Sequence, residues 1–295
     1  MVYISAGMGQ SGLIRVDASN PASMNSTTLS FEGGVAVDPV SGRYATINGG
    51  GTLRVYNPDD SVFDTEALVG CGGSLAAGTG TFGISTQCSD HFAIYRQSTA
   101  TLTNYGTGGA GSRVVYNAAT GQNFWRVDGV GTRVYDETTG NLVTTLSNRY
   151  GADAIPASFN RVYVTNTGFN QLFVLDGNKL TVTATINMPI GDLAVDTAND
   201  RLYFVSGKAI QVYNSAGTTP LGTFTIPGGY TPGLIDMAIG DDRLYVLSGK
   251  SGSQNRLFVL QAGSTPGNDV LTVDLTSGDP LANGLTLSGS GGTDA

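Results

Sequence analysis

The sequence predicts an all-β chain that is built from one repeated unit of four short strands. The first observation is a spacing, because short apolar patches recur about every 40 residues. These patches begin at residues 35, 75, 114, 153, 193 and 237. The second observation is that each repeat contains several runs rich in β-branched and aromatic residues, separated by Gly, Asn, Asp or Pro. A period of this length with four strands per repeat predicts a β-propeller.

Each repeat divides into strands A, B, C and D in chain order. Strand A is the apolar patch, and strand B is an alternating run that begins with Arg, as at residues 161–165 and 201–205. Strand C ends next to Asn or Asp, as at residues 172–176, and strand D is rich in Thr and Val, as at residues 181–186. Asn and Asp hydrogen-bond to their own downstream backbone and therefore favour a turn after strand C. No segment keeps the apolar spacing of a helix, so we expect strands alone.

The two ends of the chain predict how the ring closes. Residues 2–5, 13–17 and 28–31 match strands B, C and D of a repeat that lacks strand A, and a spare strand lies at residues 285–288. We therefore predict a seven-bladed β-propeller, closed by the C-terminal strand joining the N-terminal blade, which removes exposed sheet edges. The predicted blades of this single domain, residues 1–295, are 1–33 with 281–290, 34–73, 74–112, 113–151, 152–191, 192–233 and 234–280.

Composition restricts the classes of partner. The 295 residues include 15 Lys and Arg against 23 Asp and Glu, for a net charge of −8. Phosphate binding needs clustered Lys and Arg, so we expect no nucleic-acid partner. The apolar runs are too short to predict a transmembrane span, and the first residues predict a strand of the ring and no signal peptide. The Lys-poor, Gly-, Thr- and Asn-rich composition favours a virion or cell surface, with the cytoplasm as the alternative.

Two consecutive repeats resemble the YVTN-type β-propeller repeat. Residues 161–166 (RVYVTN) and 172–176 (LFVLD) carry the motif, which continues through residues 182–186 and 190–204. The resemblance is close between residues 150 and 250 and looser elsewhere, and residues 71–110 depart from it. It implies a propeller fold. Proteins of this type include surface-layer components, adhesin-like proteins, DNA-binding or ligand-binding propellers, and enzymes related to lactonases and quinoproteins.

Two carboxylates and two cysteines are the candidate site residues. Asp192 and Asp236 each precede strand A in adjacent repeats, at the mouth of the channel that the A strands line. Ca²⁺ prefers oxygen ligands, so this pair is a candidate metal site, and a solvated polar channel mouth is the alternative. Cys71 and Cys88 fall at the same face of one blade. Free buried thiols, a disulfide, and a zinc site with His91 are the alternatives for them.

The charged residues of the repeats indicate structural roles. His91 is the only histidine, so a Ser-His-Asp triad would have to use it, and the sequence has no Gly-x-Ser-x-Gly motif. Asp38 with Arg43, and Asp196 with Arg201, flank the turn between strands A and B in two repeats. Because this pairing recurs, we interpret it as a brace of the turn and not as a ligand site.

These observations together predict a non-enzymatic structural or binding propeller on a particle or cell surface. The favoured forms are a phage virion decoration or tail-associated protein and an adhesin-like protein, which contacts a protein or glycan through blade loops. We expect no cofactor apart from Ca²⁺ at the candidate site. The alternatives are a lactonase-like enzyme with a metal at the channel mouth and a cytosolic interaction scaffold. Trp125, the only tryptophan, is a candidate for an interface anchor or for core packing.

Overall fold

Antiparallel β-structure dominates the chain. A computed structural model describes residues 2–5, 13–17, 20–27, 34–106, 111–127, 130–146, 151–154, 160–166, 169–238, 243–249, 256–261, 270–274 and 286–288. Within these ranges the structure consists of strands, turns and a short 3₁₀ turn at Pro227–Gly229. The prediction of an all-β chain is therefore confirmed. The described residues contain no helix that is long and apolar enough to cross a membrane.

The described strands form seven sheets, numbered here in chain order. The first sheet contains β1 (Val2–Ser5), β2 (Leu13–Asp17) and β3 (Asn20–Thr27). The second contains β4 (Val35–Val37), β5 (Tyr44–Ile47), β6 (Thr52–Tyr56) and β7 (Val62–Ala67). The third contains β8 (Gly72–Ala77), β9 (Thr81–Thr86), β10 (His91–Arg96) and β11 (Thr101–Gly106). The fourth contains β12 (Gly111–Asn117), β13 (Gln122–Val127), β14 (Gly131–Asp136) and β15 (Leu142–Leu146).

The remaining three sheets follow the same order. The fifth contains β16 (Gly151–Ala154), β17 (Arg161–Asn166), β18 (Gln171–Asp176) and β19 (Val182–Asn187). The sixth contains β20 (Leu193–Asp196), β21 (Arg201–Ser206), β22 (Ala209–Asn214) and β23 (Pro220–Thr225). The seventh contains β24 (Thr231–Ala238), β25 (Arg243–Gly249), β26 (Arg256–Gln261), β27 (Val270–Asp274) and β28 (Thr286–Ser288).

The ends of the chain differ from the predicted closure. Strand β28 pairs antiparallel with β27, with Val270 opposite Ser288 and Thr272 opposite Thr286, so it extends the seventh sheet and does not join the first. Strands that follow one another in the sequence pair more often than distant ones, and this preference accounts for the difference. The third strand of the first sheet is β3, while the strand predicted at residues 28–31 lies outside the described residues.

The first strands of successive sheets lie side by side. Contacts link β1 with β4, β4 with β8, β8 with β12, β12 with β16, β16 with β20, and β20 with β24. Because every sheet is antiparallel, its loops divide between two faces of the molecule. We call "loop face" the side on which the first strand of a sheet begins and the second strand ends. We call "turn face" the opposite side, which carries the turns between first and second strands and between third and fourth strands.

Asx turns end the third strand of several sheets on the turn face. Asp136 Oδ1 accepts from the backbone N–H of Thr139 at 2.7 Å, and Asp176 Oδ1 accepts from that of Lys179 at 2.8 Å. Asn214 plays the same part for Thr218 at 2.9 Å. The side-chain oxygen satisfies backbone N–H groups that the sheet leaves unpaired, which is why these residue types stand at the turns.

The hydrophobic core lies between neighbouring sheets. One cluster joins Ile47 and Leu53 of the second sheet to Phe82 and Tyr95 of the third. The next cluster joins the third sheet to the fourth through Trp125, which is fully buried, with its ring centroid 6.0 Å from that of Phe92 and 6.3 Å from that of Tyr135. Trp125 therefore packs in the core and does not serve as an exposed interface anchor.

Candidate functional site

The two cysteines join two loops on the loop face of the third sheet. Cys71 directly precedes β8, and Cys88 lies between β9 and β10. They form a disulfide with Cα atoms 5.1 Å apart. Hydrogen bonds strengthen the same connection, because the Gln87 N–H donates to the Cys71 carbonyl at 3.1 Å and the Ser89 hydroxyl donates to the Val69 carbonyl at 2.6 Å. These two loops are therefore held together as one unit.

Asp192 forms an ion pair with an arginine from a different repeat. Its Oδ1 lies 2.9 Å from Nη2 of Arg113. Asp192 precedes β20 of the sixth sheet and Arg113 lies in β12 of the fourth, so the pair spans the first strand of the fifth sheet. The Asp192 side chain is 12% exposed and that of Arg113 is 38% exposed. The carboxylate is thus largely shielded from water and already compensated by a cation.

The second candidate metal ligand, Asp236, lies in β24, and its side chain is outside what the structure describes. Across the described part of the chain, no group of three or more His, Cys, Asp or Glu side chains is placed to hold a metal ion. Asp192 forms an ion pair with Arg113, which a metal ion would have to displace. His91 Nδ1 lies 3.2 Å from Oδ1 of its sequence neighbour Asp90, whose side chain is 59% exposed.

Two large apolar side chains are exposed on the loop face. Val69, next to the disulfide-linked loops, is 45% exposed, and Phe169, between β17 and β18, is 56% exposed. Val69 lies on the short connection from β7 of the second sheet to β8 of the third, and Phe169 lies on the short loop between the paired strands β17 and β18. The rigid sheets fix the positions of these loops, so the loop face presents apolar groups in a defined arrangement.

The turn face carries a buried carboxylate that binds two sheets together. Asp38, at the end of β4, is 1% exposed. Its Oδ2 accepts from Ser41 Oγ at 2.7 Å, from Gln97 Nε2 at 2.9 Å and from the Gly80 N–H at 3.2 Å, and its Oδ1 accepts from the Val40 N–H at 2.9 Å. Burial alone would raise the pKa of Asp38, but the hydrogen bonds from Ser41, Val40 and Gln97 hold it below its ordinary value.

The other residues of this pattern also brace turns. Asp196 Oδ1 accepts from the Asn199 N–H at 3.0 Å, and its Oδ2 accepts from Asn199 Nδ2 at 2.7 Å. The Arg43 side chain, however, turns away from Asp38. Its Nε donates to Asn57 Oδ1 at 3.1 Å, and its guanidinium lies 3.6 Å from the centroid of the Phe63 ring. Both carboxylates therefore brace their turns, and the Arg43 guanidinium is engaged with Asn57 and Phe63.

A second, partly buried acidic group, which is not among the residues predicted from the sequence, lies on the turn face. Glu137 Oε2 accepts from the Tyr116 hydroxyl at 2.7 Å, while its Oε1 is buried without a hydrogen-bond partner. Burial raises the pKa of Glu137, and the neighbouring charges of Asp136 and Asp38 act in the same direction. The sequence does contain a signal for this group, because Gly78 occupies the position at which the second and fourth sheets have Asp38 and Asn117.

Comparison with known proteins shows the fold class. No protein-family model matches the sequence, and no curated protein matches it. Among solved structures, a chain of the mitotic checkpoint complex is similar over 89% of this chain and 84% of that chain, with a TM-score of 0.72 at 11% identity. The Swd1 β-propeller domain of Myceliophteria thermophila has a TM-score of 0.63 at 10% identity, covering 84% of this chain and 96% of that one.

A third similar structure is U3-55K, with a TM-score of 0.61 at 12% identity over 81% of this chain and 86% of that chain. All three are WD40-type β-propellers. The β-propeller prediction is therefore confirmed, while the YVTN-type resemblance stays a prediction, because no family model supports it. At these identities the similarity shows the fold, and the chain is a β-propeller of antiparallel sheets.

Proposed function

We propose that the protein is a non-enzymatic propeller that binds a partner protein through its loop face and is displayed on the surface of a particle or cell. The observation that carries this proposal is the disulfide between Cys71 and Cys88. Disulfides form and persist in oxidising environments, which include secreted proteins and the surfaces of cells and virions, and they are rare in the cytosol. A virion decoration or tail-associated protein and an adhesin-like protein are the forms that fit.

The loop face is the proposed binding surface. Val69 and Phe169 are apolar groups that face solvent there, and the disulfide holds the loop of Val69 in place. Aromatic side chains are enriched at the centres of protein interfaces, and a rigid loop loses little conformational entropy when it binds. A protein partner therefore fits this surface, and a surface glycan is the alternative ligand.

An intracellular interaction scaffold is the second candidate function. It is favoured by the similarity to a chain of the mitotic checkpoint complex, which is a component of a protein assembly. In both functions the propeller is a rigid platform that carries binding loops. The two candidates differ in the redox compartment, and therefore in the state expected for the two cysteines.

The first experiment is to fractionate the native source into particles, cell envelope and soluble lysate. Free thiols are blocked by alkylation before lysis, and both the chain and its Cys71–Cys88 peptide are quantified by mass spectrometry in each fraction. Stoichiometric enrichment in particles or envelope, with the cysteines resistant to alkylation, is the expected result. Recovery in the soluble lysate alone, with both cysteines alkylated, would contradict surface display and support the scaffold.

The second experiment tests the loop face itself. Phe169→Ser removes an exposed aromatic side chain from the loop face, and Val40→Ser is the matched change at a 75%-exposed residue on the turn face. In a quantitative binding assay with the partner found by fractionation and cross-linking, we expect Phe169→Ser to weaken binding at least tenfold and Val40→Ser to leave it unchanged. The opposite ranking would place the binding surface on the turn face.

A further inference from the structure

The contact between the third and fourth sheets on the turn face differs chemically from the contacts on either side of it. In the third, fourth and fifth sheets the residue after the third strand donates its N–H to the turn between the first and second strands. This holds for Gln97 to Gly80 at 2.9 Å, Glu137 to Gly121 at 2.8 Å, and Gly177 to Asn160 at 2.7 Å. These three residues are therefore structurally equivalent, and each faces the end of the first strand of the preceding sheet.

The neighbouring contacts are satisfied hydrogen-bonded pairs. Between the second and third sheets, the Gln97 amide donates to the Asp38 carboxylate. Between the fourth and fifth sheets, Asn117 Nδ2 donates to Asn160 Oδ1 at 2.9 Å, and Gly177 leaves room for this pair. In both places an acceptor at one sheet meets a neutral amide donor at the other.

The contact between the third and fourth sheets lacks such a donor. Gly78 stands at the end of β8, where Asp38 and Asn117 stand in the other sheets. The Glu137 carboxyl group enters the space that this glycine leaves, because a Cβ at Gly78 would lie 2.4 Å from Glu137 Oε1. Tyr116 satisfies Oε2, but Oε1 is buried with no donor. A charged oxygen that is buried without a hydrogen-bond donor destabilises the folded state strongly, whereas a neutral, protonated carboxyl group destabilises it much less.

The surrounding charges act in both directions. Arg96 of β10 favours the ionised form of Glu137, while Asp136, at the end of β14, and Asp38, at the end of β4, repel a charge on it; burial outweighs these effects. The Arg96 guanidinium donates to the backbone carbonyls of Glu137 and Thr138, at 2.9 and 3.1 Å, so it is engaged with the turn. Tyr116 of β12 does not supply charge, because burial raises its pKa to about 12.

We propose that Glu137 is a proton-binding residue that makes the contact between the third and fourth sheets tighten as the pH falls. In the ionised form, the buried Oε1 carries negative charge without a hydrogen-bond donor, and protonation of the carboxyl group removes that charge. The contact between the third and fourth sheets is thereby more stable at low pH than at neutral pH.

A direct titration tests the proposal on the full chain. The sequence contains only three glutamates, Glu32, Glu66 and Glu137, so ¹³C labelling of glutamate carboxyl groups yields three signals. Loss of one signal in Glu137→Gln and of another in Glu66→Gln assigns them. We expect the Glu137 signal to titrate above the ordinary glutamate value of about 4.3. We expect Tyr116→Phe to move its midpoint further up, because that change removes the donor to the carboxylate. A midpoint at or below the ordinary value would overturn the proposal.

Unfolding measured as a function of pH supplies the second test. The pKa of Glu137 is raised in the folded state, so its ionisation lowers stability as the pH rises from the unfolded pKa through the folded one. Glu137→Gln should therefore increase the Tm at pH 7, by about 2 °C or more, and this gain should vanish near pH 4. Glu66→Gln on β7 is the control. A change in Tm that is independent of pH, or that matches the control at every pH, would contradict a proton-binding role.

Discussion

Removal of the Asp38 side chain should weaken the contact between the second and third sheets by a predictable amount. The substitution Asp38→Ala leaves the Gln97 amide and the Gly80 N–H without the acceptor that they share, at 2.9 and 3.2 Å, in a site that is 1% exposed. Hydrogen bonds to a charged group contribute about 1.5–3 kcal/mol, and buried donors left without a partner cost about 1–3 kcal/mol each. We therefore expect a loss of about 3 kcal/mol in the free energy of unfolding, or about 6 °C in Tm.

Urea denaturation followed by circular dichroism measures this loss. The double-mutant cycle with Gln97→Ala isolates the pair, because the two substitutions should be clearly less than additive if the hydrogen bond is responsible. Asp59→Ala is the control, since Asp59 is an exposed residue that braces a turn of the same sheet through Ser61 alone. An Asp38→Ala variant as stable as Asp59→Ala, or an additive cycle, would refute the reasoning. The pKa of Asp38 is lowered in the folded state, so its ionised carboxylate stabilises the protein only at pH values above that folded pKa. The stability difference between the original protein and Asp38→Ala should therefore become smaller in acid.

Three further outcomes are expected. Reduction of the disulfide, or the substitution Cys71→Ser, should lower the free energy of unfolding by about 3 kcal/mol, because the bond closes a short loop and restricts the unfolded chain. Equal midpoints of urea denaturation with and without reductant would contradict this prediction. Trp125→Ala should lower the free energy of unfolding by about 3–5 kcal/mol, because it opens a cavity between two sheets. A loss below about 1 kcal/mol, as expected for an exposed residue, would place the indole outside the core. Asp192→Asn should lower the free energy of unfolding by at most about 1 kcal/mol, because the Arg113 side chain is partly exposed. Addition of Ca²⁺ should leave the Tm of the protein unchanged. A Tm that rises with Ca²⁺ in the original protein but not in Asp192→Asn would instead favour a metal site.

The strands could be predicted because their determinants are local. Residues 161–166 and 201–206 form β17 and β21 as the alternating pattern indicates, and Asp176 and Asn214 begin turns through hydrogen bonds to residues only a few positions away. The pairing of β28 could not be predicted in this way. Its short Thr-Leu pattern suits a place beside β27 as well as a place in the first sheet, and the choice depends on how the chain passes between them.

The contacts at the candidate sites depend on repeats that lie far apart in the sequence. Asp192 was predicted at the channel mouth, but its partner Arg113 is 79 residues away in sequence, and no local pattern pairs them. In the sequence, Glu137 resembles an ordinary turn residue. Only the three-dimensional structure shows that its carboxyl group lies against Gly78 of the preceding sheet. Aligning the repeats by strand register shows that Gly78 stands where the second, fourth and sixth sheets have Asp38, Asn117 and Asp196.

The location of the core between the sheets limits how such a protein can change. Removal of the third sheet, for example, would take away half of two hydrophobic clusters, so Leu53 of the second sheet and Trp125 of the fourth would become exposed. Whole repeats are therefore poor units for deletion or exchange in this propeller. The connecting loops contribute single residues to those clusters, such as Leu68 and Val130, so grafted segments of new sequence should be tolerated where these residues are kept. An engineer who seeks a new binding specificity should accordingly diversify the loop face and leave the number of sheets unchanged.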